Sequence, residues 1–167
     1  MCIDYRDVNA QTDKDSFPLQ RIDQVWPARF RVRFFASLDL LIGFHQVEVD
    51  PRDRAKTEFL THRGVYVYNV MPFGLCNAPA TFQHLMEKVQ GPLICLGVLV
   101  YIDDVLIYAK TPEQLIEILS AVLKLIVKAG LKCKALKCSL FTQTINYLGR
   151  VVSKNGINPD PAKLYKI

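Results

Sequence analysis

Two short hydrophobic runs near the middle of the chain enclose a pair of acidic residues. Residues 98–100 (VLV) and 105–108 (VLIY) are rich in β-branched side chains and flank residues 103–104 (DD). Runs of this length and composition predict two buried strands joined by a tight turn. A third run, residues 34–40 (FFASLDL), predicts a further buried strand that carries Asp39 near its end.

Two longer segments have the spacing of amphipathic helices. Apolar residues recur every three or four positions over residues 80–89 and again over residues 115–126. The glycine–proline pair at 91–92 predicts the end of the first helix. Residues 111–114 (TPEQ) form a capping box with proline at the first helical position, and Gly130 predicts the end of the second helix.

The remaining periodic segments indicate strands. Polar and apolar residues alternate over residues 46–49 and 66–70, and residues 140–141 and 147–152 are also strand-like. The Asn-Gly pair at 155–156 is a strong hairpin signal. Strands and helices mix without strict alternation, which predicts an α+β fold with an antiparallel sheet and helices packed on one face.

Size and composition are those of one globular domain. The chain has 167 residues, of which 50% are hydrophobic and 22% are charged. It contains neither a signal-peptide pattern nor an apolar run of the roughly 18 residues that a membrane span needs. The five cysteines and three histidines lack the common zinc spacings, so reduced thiols in a cytosolic or nuclear protein are expected.

The positive charge of the chain is concentrated in its second half. The net charge is +5, and residues 118–159 contain seven basic residues and no acidic one. The seven are Lys124, Lys128, Lys132, Lys134, Lys137, Arg150 and Lys154. A one-sided basic stretch indicates a polyanionic partner. A solvated helix face followed by an ordinary turn would give the same pattern, so charge alone leaves both interpretations open.

The acidic residues suggest metal chemistry. A buried carboxylate pair is unfavourable unless positive charge compensates for it, and a divalent metal ion is the usual source. Two-metal phosphoryl transfer needs two such ions about 3.5–4 Å apart, held by hard oxygen ligands. Neighbouring strand residues point to opposite faces, so Asp103 and Asp104 can serve one site only if the chain turns between them. Asp39 would then supply the remaining ligand.

Residues 101–108 (YIDDVLIY) resemble the catalytic hairpin of reverse transcriptases. Further segments resemble other motifs of the same family, in the same order along the chain. They are residues 2–9, 17–23, 35–40 with 43–47, 56–59, 70–75, 77–83 and 147–149. The resemblance covers nearly the whole chain and is closest to gypsy-type (Metaviridae) long-terminal-repeat retrotransposon polyproteins. It implies a right-hand polymerase palm with partial fingers over residues 1–152, and the truncated start of the next palm or thumb segment over residues 153–167.

The resemblance also implies roles for individual residues. Asp39, Asp103 and Asp104 match the catalytic, metal-binding carboxylates, and the first two would bridge both ions. The Leu40 carbonyl matches a further metal ligand. The positions that match the nucleotide pocket are Phe44, Phe73 and Gly74, with Phe44 as the aromatic residue that rejects a 2′-hydroxyl. The positions that match primer or template contacts are Tyr101, Ile102, Tyr147, Leu148 and Gly149.

The function that the resemblance implies is RNA-directed DNA synthesis. The expected cofactor is a pair of Mg²⁺ ions, with Mn²⁺ as an alternative, and the expected partners are a primed RNA or DNA template, dNTPs and the rest of a Pol polyprotein. The expected location is a retroelement particle in the cytoplasm, or the nucleus. Three alternatives remain: an inactive remnant that at most binds nucleic acid, an RNA-templated RNA polymerase palm, and a purely structural α+β domain. Phe44 argues against the second, and the ordered motifs argue against the third.

Overall fold

The computed structural model describes residues 3–17, 32–94 and 96–160. Its helices are α1 (Arg6–Gln11), α2 (Ala78–Ile94) and α3 (Pro112–Lys128). The strands are β1 (Phe34–Asp39), β2 (Phe59–Thr61), β3 (Gly64–Tyr66), β4 (Val98–Tyr101), β5 (Asp104–Ala109), β6 (Ser139–Thr142), β7 (Thr144–Tyr147), β8 (Arg150–Ser153) and β9 (Gly156–Pro159). Short 3₁₀ helices span Gly43–Gln46, Arg54–Thr57 and Ala135–Lys137.

A four-stranded antiparallel sheet forms the centre of the fold. Its strand order is β4-β5-β1-β6, so the predicted hairpin lies beside the strand that carries Asp39. The strands β7, β8 and β9 form a second antiparallel sheet, and β2 and β3 form a separate hairpin. The predicted α+β class with an antiparallel sheet is confirmed. Strand β9 lies beyond residue 152, where the sequence predicts a domain boundary, and that boundary stays a prediction.

The two faces of the central sheet pack against different elements. Alternate residues of β1, β4 and β5, such as Leu38, Val100 and Ile107, pack against α2 and α3 in one core. The residues between them, such as Phe35 and Leu106, pack against the sheet of β7 and β8 in a second core. This division follows from the two-residue repeat of a strand. Both long helices therefore lie on one face, as predicted.

Helix α3 begins and ends where the sequence predicts. The Thr111 hydroxyl accepts the Gln114 amide at 3.3 Å, and the Gln114 side-chain oxygen accepts the Lys110 amide at 3.1 Å. At the other end Gly130 adopts φ 73° in the left-handed region. The amides of Gly130 and Leu131 donate to carbonyls of the last turn, which completes a Schellman motif.

Four predicted elements differ from the structure. Residues 66–70 alternate in polarity, but only Tyr66 lies in a strand, because β3 pairs with the three residues of β2 and ends there. Helix α2 continues through Pro92 to Ile94, because a proline in the last turn removes one helical hydrogen bond without preventing the turn. Residues 46–49 alternate in polarity but form only an isolated bridge between Glu48 and Val70, after a 3₁₀ helix. Residues 147–152 form two strands rather than one, because the chain reverses between Tyr147 and Arg150.

The predicted family segment at residues 17–23 lies outside the described residues except for Phe17, and residues 161–167 lie outside them as well. Within the described residues, none of the helices has both the length and the hydrophobicity to cross a bilayer. The three described cysteines (Cys76, Cys133 and Cys138) are free thiols.

Candidate active site

Asp39 and Asp104 are directly opposite each other on neighbouring strands. They form the last residue pair in the antiparallel register of β1 and β5. The Cα atoms of such a pair lie about 4.5–5.5 Å apart and their side chains project from the same face. That face is the one opposite the helices, because Leu38 and Val105 beside them pack against the helices. The structure therefore brings together two carboxylates that are 65 positions apart in the sequence.

Asp103 lies in the turn between β4 and β5. The turn begins at Ile102, whose φ of 53° is in the left-handed region. The Asp103 carbonyl accepts the amide of Leu40 at 3.0 Å, which ties the turn to the end of β1. A Cβ atom at Gly43 would lie 3.0 Å from the Asp103 Cβ, so the start of the Gly43–Gln46 helix packs closely against this side chain.

The buried side chain of Gln83 holds the hairpin in place. Gln83 on α2 is only 1% exposed. Its side-chain oxygen accepts the Ile102 amide at 2.7 Å, and its nitrogen donates to the Val100 carbonyl at 3.2 Å and to Glu87 at 2.9 Å. Sequence reasoning missed this residue. The only indication in the sequence was that Gln83, a polar residue, follows Phe82 in the predicted apolar part of this helix.

Asp104 has a raised proton affinity in this site. Burial, followed by the charges of Asp103 and Asp39, raises the pKa of Asp104 to about 6, against an opposing effect of Lys137. Asp104 is half-buried, and its neighbours repel a further negative charge. Asp39, Asp103 and Asp104, here named the acidic cluster, therefore form a region of concentrated negative charge that favours a cation.

Lys137 provides a cation in the described structure. Its ammonium lies 3.0 Å from an Asp39 carboxylate oxygen, with 58% of the Lys137 side chain and 20% of the Asp39 side chain exposed. The hydrogen bond and charge of Asp39, with smaller contributions from Asp103 and Asp104, raise the pKa of Lys137. The Lys134 amide donates to the Asp39 carbonyl at 2.8 Å and so positions the 3₁₀ helix that carries Lys137.

This position of Lys137 differs from the prediction. The sequence placed it in a basic stretch that could contact phosphates, but it pairs with the acidic cluster instead. Lys124 and Lys128 lie apart from it on α3, so the seven basic residues do not form one uniform strip. Nothing local to residue 137 identifies its partner, which is 98 positions away.

The acidic cluster fits a divalent metal ion by its donor chemistry. Carboxylate oxygens are the hard ligands that Mg²⁺ prefers, and two or three of them suffice because the ion keeps several waters. In the part of the chain that the structure describes, no three His, Cys, Asp or Glu side chains are already arranged to hold an ion. A metal ion at Asp39 would replace the Lys137 ammonium. Burial raises the pKa of the nearby Cys133 to about 11, so this thiol stays protonated and is a poor ligand.

Two of the predicted nucleotide-pocket residues, Phe44 and Phe73, contact each other. Phe44, directly after Gly43, has its ring centroid 5.3 Å from that of Phe73 and 5.8 Å from that of Phe82. Phe73 is 49% exposed. Gly74 has φ 102°, which an L side chain rarely adopts, and its carbonyl accepts the Asn9 side chain at 2.8 Å. Phe44 and Phe73 therefore form an aromatic pair that directly follows, at Phe44, the glycine packed against Asp103.

The predicted primer contacts have different surroundings. Tyr147 is only 5% exposed, and its hydroxyl donates to the Asp104 carbonyl at 3.3 Å. Burial raises its pKa, so the phenol stays protonated. This hydrogen bond connects Tyr147 on β7 to the start of β5, directly after the hairpin turn. The next two residues, Leu148 (φ 48°) and Gly149 (φ 73°), form the reversal between β7 and β8, and Leu148 is 36% exposed. Tyr101 and Ile102 lie at the hairpin tip.

An antiparallel sheet with two helices on one face, and acidic residues at the ends of its central strands, defines the palm of a right-hand polymerase. A foamy viral protease-reverse transcriptase in complex with double-stranded DNA has a TM-score of 0.89, with 23% identity, over 98% of this chain and 29% of that chain. The same protein in complex with an RNA/DNA hybrid has a TM-score of 0.88, with 23% identity, over 98% of this chain and 22% of that chain. At this identity the likeness shows the fold.

Sequence comparison shows the family. Residues 1–152 match the family "Reverse transcriptase (RNA-dependent DNA polymerase)", and the chain belongs to it. The Pol polyprotein of transposon 297 from Drosophila melanogaster is 38% identical over 99% of this chain. The Pol polyprotein of transposon gypsy from the same organism is 34% identical over 100% of this chain. The chain spans 16% of the length of each of these relatives. The predicted gypsy-type resemblance is confirmed.

Proposed function

We propose that this chain is the palm, with part of the fingers, of an enzyme that adds deoxynucleotides to a primer 3′-hydroxyl as directed by an RNA or DNA template. The observation that carries the proposal is the pairing of Asp39 with Asp104 beside Asp103 at the end of the central sheet. Family membership supports the same reaction. The primed template, the dNTPs and the rest of a Pol polyprotein are the proposed partners, in a cytoplasmic particle or in the nucleus.

The acidic cluster and the Leu40 carbonyl are the proposed ligands of two Mg²⁺ ions, with Mn²⁺ as the alternative. When bound, the two ions supply activation of the primer hydroxyl and neutralisation of the triphosphate charge. The protein contributes mainly positioning, because phosphoryl transfer leaves little covalent chemistry to side chains. Gln83 fixes the backbone before Asp103, and the Leu40–Asp103 hydrogen bond fixes the distance between hairpin and β1.

Phe44 is the proposed sugar-selecting residue. Its ring is held between Phe73 and Phe82, and it follows the glycine that packs against Asp103. A ring fixed in this way beside the metal ligands would clash with a ribose 2′-hydroxyl but leave room for deoxyribose. The test is to compare the incorporation of labelled ribonucleotides by the enzyme with and without the substitution Phe44→Val. Unchanged sugar discrimination would reject it.

The proposed nucleic-acid contacts are the exposed tips near the acidic cluster. The reversal at Leu148 and Gly149 lies next to the hairpin, because Tyr147 contacts Asp104. The foamy viral structures with similar folds contain double-stranded DNA or an RNA/DNA hybrid, which supports a duplex as the ligand.

A chimaera tests the proposed reaction. The aligned segment of the transposon 297 polyprotein is replaced by this chain, and extension of a primed RNA is measured with labelled dNTPs. We expect synthesis by the chimaera, and a loss of at least about a hundredfold with Asp103→Asn because an electrostatic contact to the reacting groups is removed. Glu113→Gln, an exposed carboxylate on α3, is the matched control and should keep activity.

The result separates the proposal from its main alternative. Equal synthesis with and without Asp103→Asn would reject the site. A chimaera that binds the primed template but extends no primer would support the inactive remnant instead.

A further inference from the structure

Helix α3 has a second apolar side that the described residues leave uncovered. Its buried side, which includes Leu115 and Val122, packs against the central sheet. On the uncovered side Ile116 is 54% exposed, Leu123 is 39% exposed and Val127 is 73% exposed. Ser120, also exposed, lies between them on the same side of the helix. These four residues are named the α3 seam.

The α3 seam has the spacing of a coiled-coil interface. Its residues follow one another at intervals of four, three and four, as the a and d positions of a heptad do. In an antiparallel pair of such helices, related by a two-fold axis between residues 121 and 122, Ile116 would face Val127 of the second copy. Ser120 would face Leu123, so that a small residue meets a large one. The seam is therefore complementary to itself in the antiparallel arrangement.

The charges along the helix favour the same arrangement. The N-terminal half of α3 carries Glu113 and Glu117, whereas the C-terminal half carries Lys124 and Lys128, and all four are exposed. Glu117 and Lys124 both occupy the position that follows d in the heptad and so flank the seam. In the antiparallel pair each Glu117 would lie near Lys124 of the second copy. In a parallel pair the e position faces g of the partner, and these g positions are Leu119 and Ile126, so neither Glu117 nor Lys124 would gain a charge partner.

We propose that this chain forms a two-fold symmetric dimer in which the α3 seams of two copies pack antiparallel. The proposal is independent of the proposed polymerase function. Helix α3 covers the face of the sheet opposite to the one from which Asp39 and Asp104 project, so the dimer leaves the acidic cluster of each copy accessible. A single helix pair buries less than the roughly 1,200 Å² typical of stable complexes, so the dimer is weak and depends on concentration.

Sedimentation velocity of the 167-residue chain over a wide concentration range tests the dimer. We expect the mass to rise from one copy to two as concentration increases. Val127→Glu should remove the dimer, because it places a charge in the apolar seam. Leu60→Glu is the matched control: Leu60 is 80% exposed on β2, away from α3, and this variant should dimerise as the unchanged chain does. A single copy at every concentration would overturn the proposal.

A charge exchange tests the antiparallel register. In Glu117→Lys both residues that flank the seam, 117 and 124, are basic. In Lys124→Glu both are acidic. Each variant alone should dimerise at least severalfold more weakly than the unchanged chain. An equimolar mixture should restore the dimer, as should the double variant Glu117→Lys/Lys124→Glu. Circular dichroism checks that the variants stay folded, since both positions are exposed. A mixture no more dimeric than the separate variants would overturn the register.

Discussion

The two faces of the central sheet carry out different tasks with the same three strands. The face towards the helices stays apolar along its whole length, from Ala109 and Ile107 to Val105. The opposite face is apolar at Phe35 and Leu106 but ends in the acidic cluster. The apolar face stabilises the fold, whereas burial of Asp104 near two further carboxylates raises the pKa of Asp104 and so lowers stability at neutral pH. Stability and chemistry are thus separated by face and by position along the strand.

The largest change in the free energy of unfolding should come from a substitution in the core on the helix-facing side of the sheet. Phe82 is fully buried and contacts Phe44, so Phe82→Ala would leave a cavity in the larger core. We expect a loss of about 3–5 kcal/mol in the free energy of unfolding, measured by urea denaturation. Leu60→Ala, at an exposed position, should change it by less than about 0.5 kcal/mol. Similar losses for the two variants would contradict the described core.

Gln83 connects helix α2 to the hairpin that carries Asp103, and its substitution should give an intermediate effect. Gln83→Leu leaves the partly buried Ile102 amide and the buried Val100 carbonyl without their partner. The expected loss is about 1–3 kcal/mol in the free energy of unfolding, together with slower primer extension by the chimaera. Gln90→Leu is the matched control: Gln90 is also fully buried on α2, but its side-chain nitrogen and oxygen have no hydrogen-bond partner in the described structure, so this variant should keep the extension rate. If Gln83→Leu and Gln90→Leu extend equally, the hydrogen bond to Ile102 does not position the hairpin.

Lys137 should affect metal binding more than stability. Lys137→Met removes the ammonium that competes for Asp39 while keeping much of the side-chain length. We expect Mn²⁺ to bind severalfold more tightly, measured by calorimetric titration of the chain. Lys154→Met serves as the control, because this lysine is exposed in the β8–β9 turn and should leave the affinity unchanged. Weaker Mn²⁺ binding by Lys137→Met would show that the ammonium assists rather than competes.

The smallest effect should be the dependence of stability on pH that arises from Asp104. Its pKa is about 6 in the folded chain and 3.8 as the ordinary value. A raised carboxyl pKa means that the folded chain binds a proton more tightly, so this group lowers stability above pH 6 and ceases to do so as the pH falls towards 3.8. Asp104→Asn should therefore raise the melting temperature of the metal-free chain at pH 8. The gain should shrink steadily on acidification, and a gain independent of pH would contradict this origin.

Local signals predicted some elements well. Helix α3 is specified by its capping box, its apolar stripe and Gly130, all of which lie within the helix or next to it. The strands on either side of Asp103 follow from two short apolar runs. Alternation at residues 46–49 misled, because an irregular segment that is half-exposed has the same pattern as a strand.

The site itself was only partly predictable. The acidic residues came from the resemblance and from their apolar flanks, but their side chains meet through a strand register that sequence spacing does not specify. Gln83 and Lys137 were missed because their partners are 19 and 98 positions away. A buried polar residue on a helix and one lysine among seven carry no indication of what they contact.

Gly43 lies between two parts of the candidate site, the turn that carries Asp103 and the segment that carries Phe44. A methyl group there would come within 3.0 Å of the Asp103 Cβ and 3.2 Å of the Phe82 ring, so even alanine would push the turn away from the segment that carries Phe44. The rate of the proposed reaction and the proposed selection of the sugar by Phe44 therefore both depend on this residue. Substitutions at Gly43 that relax the choice between ribose and deoxyribose should therefore also slow primer extension.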